Sequence, residues 1–366
     1  MKFLVFFCLL IFSFSSHAQD KIEKLSIGGY GDIHLNINKG SDPDSFDLHR
    51  IVTYIGYQFS KKIRFNSEIE IEHAFVDSES GGYLMLESAN IDFKINNVFK
   101  VTAGRFLTPI GLINQFHEPV FFNGVERPLF AKSLIPSTWS SDGIMISGKK
   151  GWFNFLLGIA GGLDGSGFNS IDGIRGGRVK ERPGIDSPSA LGRFVMTPFD
   201  RKNAYLSTGV SFFSGKVNRS NKGIDNQVDS LFTMIAADLQ FRYSLLEITG
   251  EFAFTKLENS ILLPSGVAES MLGFYIESAV SLPRSLVTRL NSHALKLFIR
   301  YEHINTQFKM FDGFEAYPQG KRNLITTGVS YFPAKNVVIK FDYTRISDST
   351  DIVSHQFNAG IGFRFP

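Results

Sequence analysis

Apolar and polar side chains alternate with a period of two through most of this chain, in blocks of roughly ten residues. From 63 to 75 the odd positions read Ile63, Phe65, Ser67, Ile69, Ile71, His73 and Phe75. The even ones read Arg64, Asn66, Glu68, Glu70, Glu72 and Ala74. Successive side chains of a strand point to opposite faces, so each block is a ribbon with an oily side and a wet side. The oily side must meet a second sheet or hydrocarbon, and one ribbon cannot decide between them. Beyond the N-terminal segment no apolar run reaches 18 residues, which excludes spanning helices. The membrane solution that remains is a closed barrel, where every backbone group pairs between strands.

Repetition and spacing favour the barrel. Similar blocks occur near 25–38, 50–59, 63–75, 83–95, 98–106, 143–148, 152–160 and 191–199. They continue near 204–213, 231–243, 246–255, 271–280, 295–303, 323–332, 337–344 and 357–365, about sixteen in all. Short links such as Ser60-Lys61-Lys62, Asn96-Asn97 and Lys149-Lys150-Gly151 alternate with longer polar stretches such as 39–45, 77–82, 161–190, 214–229, 305–320 and 346–356. That asymmetry predicts an all-β, transmembrane, antiparallel up-and-down barrel with tight periplasmic turns and long external loops. The segment 282–293 departs from it, being long where a short turn is due. The last block alternates Phe357, Ala359, Ile361, Phe363 and Phe365 with Asn358, Gly360, Gly362 and Arg364, a membrane-strand ending followed by Pro366.

The N-terminus agrees with export. Lys2 is followed by an apolar run over residues 3–14, the length of a signal h-region, and Ser16-His17-Ala18 supplies small residues for cleavage before Gln19. The expected division is a signal peptide over 1–18 and a barrel over 19–366, delivered to the bacterial outer membrane and its lipid. Cys8, the one cysteine, lies inside the apolar run, so the mature chain would have no disulfide and no cysteine metal site. A net charge of +3 with no basic block gives no argument for nucleic acid.

Residues 101–149 carry a family resemblance. Gly104-Arg105-Phe106-Leu107-Thr108-Pro109-Ile110-Gly111, then Gln115-Phe116-His117-Glu118-Pro119, a long stretch to Trp139, and Ser141-Asp142-Gly143 resemble the phosphate-selective porin O and P family. Gly29-Tyr30-Gly31-Asp32 and the strand pair over 50–73 are similar to it as well. The resemblance implies a 16-stranded porin, a homotrimer, whose third external loop folds into the lumen. Counting strands independently puts that third long connection at about 107–142. It holds Phe116, Phe121, Phe122, Leu129, Phe130, Leu134, Ile135 and Trp139, too many apolar residues for a loop in water. Packing on the inner wall would bury them; a surface lid or a short helix on the rim is the alternative.

Faces predicted to line the lumen carry both signs: Arg50, Arg64, Lys94, Lys296, Arg300, Lys340 and Arg364 against Asp32, Glu68, Glu70, Glu72, Asp92, Glu247, Glu251, Glu302 and Asp342. A wet wall needs polar residues whatever passes, because a lipid-facing Arg or Lys costs roughly 2–4 kcal/mol at midplane. The constriction candidates are His117, Glu118, Arg127 and Lys132 of the third loop. With Glu118, Glu126 and Asp142 opposing its cations, that loop shows no arginine ladder, and phosphate does not follow from the family name. Arg105 falls on the lipid face with Val101 and Ala103, which a bulge near Gly104 or snorkelling at the strand end would resolve.

No catalytic or metal motif is legible. The glycines of 161–167 lack a following Lys-Ser/Thr, and no histidines form H-E-x-x-H. The reading is therefore a porin for small hydrophilic solutes or ions, phosphate-like anions included, with no cofactor and no enzymatic activity. A non-conducting barrel acting as scaffold or adhesin through its external loops is the alternative.

Overall fold

The computed structural model describes residues 24–39, 43–74, 82–179, 188–217, 230–259, 263–283, 285, 287, 294–350 and 352–366. The proposed signal segment, Phe75 and most of 282–293 lie outside them. Sixteen antiparallel strands close on themselves, each paired with its neighbours in sequence and the first with the last. They are β1 (Leu25–Lys39), β2 (Ser45–Ser60), β3 (Ile63–Glu72), β4 (Tyr83–Lys94), β5 (Phe99–Leu107), β6 (Ser140–Lys150), β7 (Phe153–Ala160) and β8 (Ser189–Arg201). The second half runs β9 (Ala204–Val217), β10 (Ser230–Tyr243), β11 (Leu246–Leu257), β12 (Ser270–Ser281), β13 (Ala294–Lys309), β14 (Lys321–Ala334), β15 (Val337–Asp348) and β16 (Val353–Phe365). Closure is made where Gly29 pairs with Phe365 and Ile33 with Ile361. Among the described strands no edge is left unpaired, as lipid demands.

The alternation decides which face looks out. Ile144 and Ile159 are 61% and 62% exposed, and Val210, Ile235, Ile276, Leu297 and Ile299 join them in a belt around the wall. Fully burying one such side chain is worth about 1.5–3 kcal/mol, which water would forfeit and hydrocarbon supplies. Trp152, Tyr243, Phe59 and Phe199 lie exposed at the end with the short turns, where aromatic rings suit a membrane interface.

Three places depart from the regular pattern. The blocks read at 143–148 and 191–199 extend to β6 and β8, because Ser140-Ser141-Asp142 and Ser189-Ala190 continue the ladders despite their weak alternation. Strand β3 ends at Glu72; His73 and Ala74 have φ of 58° and 60°, so His73 leaves the outward series that periodicity gives it. Gly104 has φ 121°, a conformation that favours glycine, yet it pairs with Asn90 and Gly143 without the expected bulge. Arg105 keeps its outward position opposite Asp142, and the two pair at 2.6 Å near the strand end. The charge thereby sits at the rim, with a partner.

The interior is filled by two loops from the long-loop end: L3, residues 108–139, and the described part of L4, residues 161–179. Apolar residues of L3 (Ile110, Ile113, Phe130, Leu134, Ile135, Trp139) and of L4 (Leu163, Phe168, Ile174) form one buried cluster. It is completed by inward side chains of the wall, among them Leu191, Phe213, Phe232, Met234, Ala253 and Tyr275. The wall of β7 to β12 is thus largely apolar where L3 and L4 press on it, while the wall of β1–β4 and β13–β16 is predominantly charged.

Candidate functional site

L3 is a long irregular segment inside the barrel, so its backbone amides and carbonyls need partners. The wall provides them with charged side chains. The Val125 amide donates to Asp342 at 2.6 Å, the Leu112 amide to Glu251, and the Asn123 side chain to Glu277 at 2.9 Å. In the other direction Lys340 Nζ donates to the Phe122 carbonyl at 2.8 Å and Arg50 to the His117 carbonyl at 3.2 Å. The single helical turn of L3, α1 (Phe130–Ser133), begins with an amide that has no partner in its own helix, and Glu302 accepts it at 2.9 Å. Charges on β2, β11, β12, β13 and β15 thus hold one loop across the lumen. On the β16 side, Gly362 lets it approach: a Cβ there would lie 2.6 Å from the Pro119 ring.

The constriction candidates divide. Arg127 and Lys132 line a narrow cavity of about 60 Å³ between L3, L4 and the wall of β1–β4. Lys132 is also tied to Glu126 at 2.6 Å. Burial favours the neutral acid at Glu126, but Lys132 and then His34 outweigh it and hold the carboxyl well below its ordinary range. His117 is buried, 3.4 Å from the Glu87 carboxylate. Burial alone would lower its pKa; Glu87 prevails and raises it above 6.5. Glu118 lies 3.1 Å from Arg364, whose guanidinium also covers the Phe121 ring.

The lumen-facing candidates divide too. Arg50, Glu70 and Glu72 line the narrow cavity, and Arg50 forks onto Asp32 at 3.0 and 3.1 Å. Arg300 contacts Glu302 at 3.0 Å and Glu277 at 3.4 Å. It borders both a cavity of about 620 Å³ at the long-loop end and one of about 90 Å³ on the other side of L3. Lys296 pairs with Glu247 at 2.8 Å in that second cavity. Arg64 stays near the short turns, donating to Asn66 and Ser26. Glu68 lies beside Glu87 and His117, their ligand-type atoms within 4.8 Å of one another.

Several contributors were not legible. Arg175 and Arg178 of L4 also line the narrow cavity, and Arg178 donates to the Thr138 carbonyl at 2.7 Å. Burial and then the charge of Arg175 lower the pKa of Arg178, the mark of crowded cations. The available signal was Leu163, Phe168 and Ile174, apolar residues spaced through a stretch read as a polar external loop. Arg193, forked onto Asp238 at 2.6 and 2.9 Å, is a second buried pair that periodicity did not single out. Glu87 lies at a bulge in β4, between partners of Glu68 and Ile69, and a bulge re-aims a side chain without any sequence pattern.

No protein-family model matches the chain. Its fold is similar to that of Salmonella typhi OmpF solved with daunomycin, at TM-score 0.60 and 12% identity over 93% of this chain and 97% of that one. It is similar to an anion-selective porin from Comamonas acidovorans, at TM-score 0.59 and 12% identity over 93% and 99%. The outer-membrane channel DcaP of Acinetobacter baumannii aligns at TM-score 0.58 and 11% identity over 93% and 97%. At such identities the likeness is one of fold: a porin-like barrel, without the narrower phosphate-selective assignment. In sequence, an uncharacterized protein of Aquifex aeolicus strain VF5 is 30% identical over 338 residues, 88% of this chain and 75% of its own length. With that identity sustained across nearly the whole barrel, the chain belongs to one family with the Aquifex protein.

Proposed function

We propose that this barrel is an outer-membrane channel for passive diffusion of small hydrophilic solutes or ions, with L3 and L4 forming its constriction. One observation carries the reading: wet cavities lie on both sides of L3, and a narrow charged space between L3, L4 and the β1–β4 wall lies beside them. Arg127, Arg175 and Arg178 face that space from the loops, while Glu70 and Glu72 face it from the wall. A field across a narrow water-filled gap sorts solutes by charge and dipole. Arg50 and Lys132 also line it but are matched by Asp32 and Glu126, so the three loop arginines tip the local balance toward anions. Phosphate-like anions are one class this would favour. The scaffold alternative draws on the extent of the apolar plug under β7 to β12.

Recording from purified protein in planar bilayers separates the two. Stable conductance steps that grow when residues 119–139 are deleted support the channel; a folded barrel silent in both forms rejects it. Under a salt gradient, replacing Arg127, Arg175 and Arg178 with Gln should move the reversal potential toward cation preference. The remaining parts of the proposal are export with cleavage before Gln19, insertion in outer-membrane lipid and assembly as a homotrimer. For assembly, β5 and β7 are nine and eight residues long, so the wall is lowest there and a neighbouring copy could cover it. N-terminal sequencing of the mature protein and light scattering in detergent test these parts.

A further inference from the structure

Three histidines far apart in sequence meet at the long-loop end of the lumen. The His34 ring, on β1, stacks on His49 with centroids 4.2 Å apart. His49 in turn meets His73 nearly edge-on at 5.3 Å and 79°. Two irregularities create this arrangement. Asp32 pairs with Arg50 and Ile33 with Leu48, so His49 is the extra residue of a bulge in β2. The left-handed backbone at His73 turns its side chain off the outward series. Its amide still donates to the His49 carbonyl at 3.0 Å, which keeps the two residues side by side. Asp47 completes the group: its Oδ2 is 2.5 Å from Nδ1 of His73 and 3.9 Å from Nδ1 of His49.

We propose that Asp47, His49 and His73 form a binding site for a divalent transition-metal cation of the zinc type. Their three ligand atoms lie within 4.8 Å of one another, so small side-chain rotations bring them around one ion with bonds of about 2.0–2.2 Å. Two imidazoles with a carboxylate select a zinc-type ion over calcium or magnesium, which require oxygen shells. The ring of His49 is placed for the role. With Nδ1 toward the ion, its Nε2 faces the Glu72 carboxylate at 3.8 Å, from which a small side-chain rotation makes the carboxylate–histidine hydrogen bond that fixes the tautomer of a ligand. His34 is a support rather than a ligand, since Nε2 lies 3.3 Å from Asp32 and Nδ1 2.9 Å from Glu126. All three ligands border the 620 Å³ cavity, leaving a route for the ion and a coordination position for water.

The site stands whether or not the barrel conducts, and its test is binding. The mature barrel in detergent is titrated calorimetrically with zinc chloride, with folding of every variant checked by its β-sheet circular dichroism. Wild type should show saturable binding of a single ion that excess magnesium does not displace. His49→Ala and His73→Ala should each abolish it, Asp47→Asn should weaken it, and Glu72→Gln should weaken it about tenfold. His303→Ala, an outward histidine bonded to Asn323, should leave it unchanged. Absence of saturable binding to folded wild type overturns the proposal. So does binding that survives in the folded His49→Ala and His73→Ala variants, or that is lost with His117→Ala instead, which would assign the ion to Glu68, Glu87 and His117.

Discussion

The interior of this barrel holds two unlike regions built on the same alternating strands. Under β7 to β12, inward residues such as Phe213, Phe232 and Met234 are apolar and pack with Phe130, Leu134, Trp139 and Phe168 of L3 and L4 in one buried cluster, with the Arg193–Asp238 pair and Glu251 buried on the same wall. Under β1–β4 and β13–β16, inward residues are Asp32, Arg50, Glu70, Arg300, Lys340 and Asp342, and cavities of about 60 and 620 Å³ lie beside them. L3 bridges the two, packed by the hydrophobic effect into the apolar cluster and clasped by charge-assisted hydrogen bonds, most of them from the charged half. The difference teaches where a passage can run: along the charged wall. It also shows that a lumenal charge need not serve a solute, because several of these hold the loop.

Each kind of hold can be broken separately. Arg50→Ala leaves Asp32 buried without its cation and frees the His117 carbonyl, a loss of about 3–5 kcal/mol. The urea midpoint of the barrel should fall, and exchange of L3 amides near His117 should accelerate. Leu134→Ala in the apolar cluster costs about 2–5 kcal/mol through the cavity it leaves. It should lower the same midpoint while leaving the reversal potential unchanged; a shift in ion preference would show that the apolar half lies on the path after all. Gly362→Val forces Pro119 away from β16, an overpacking of about 1–3 kcal/mol, and should alter single-channel conductance more than stability.

The smallest effect is one of pH. Because Glu87 outweighs burial and raises the His117 pKa, the folded state holds this proton more tightly than the unfolded chain. The stabilisation is complete below about pH 6.5 and fades as pH rises through the folded value. The thermal midpoint should therefore decline on the alkaline side of neutrality, and His117→Asn should remove that part of the slope. An unchanged slope in the variant would show that the His117–Glu87 contact does not govern it.

Much of the barrel was legible because lipid imposes a local rule. Every spanning strand must turn an oily face outward, so Ile63, Phe65, Ile69 and Ile71 announce β3 without reference to any other strand. The apolar content of residues 107–142 marked the third loop as unusual because so many apolar side chains do not suit a loop in water. The apolar half was not read from the sequence: Leu231, Phe232, Met234, Ile235, Ala236 and Ala237 are apolar on both parities of β10, which suits a strand covered on both sides, but nothing local says what covers the inner one.

By itself, then, the amino-acid order determined the strands, their outward faces and the rhythm of long and short connections, since each depends on neighbours two residues away and on the solvent. The tertiary structure alone decided which lumenal charges face water and which clasp L3. It also decided that L4 turns inward, and that a bulge and a left-handed residue bring His49 and His73 together. Those outcomes depend on pairing register and on contacts between residues dozens to hundreds of positions apart, which no periodicity along the chain encodes.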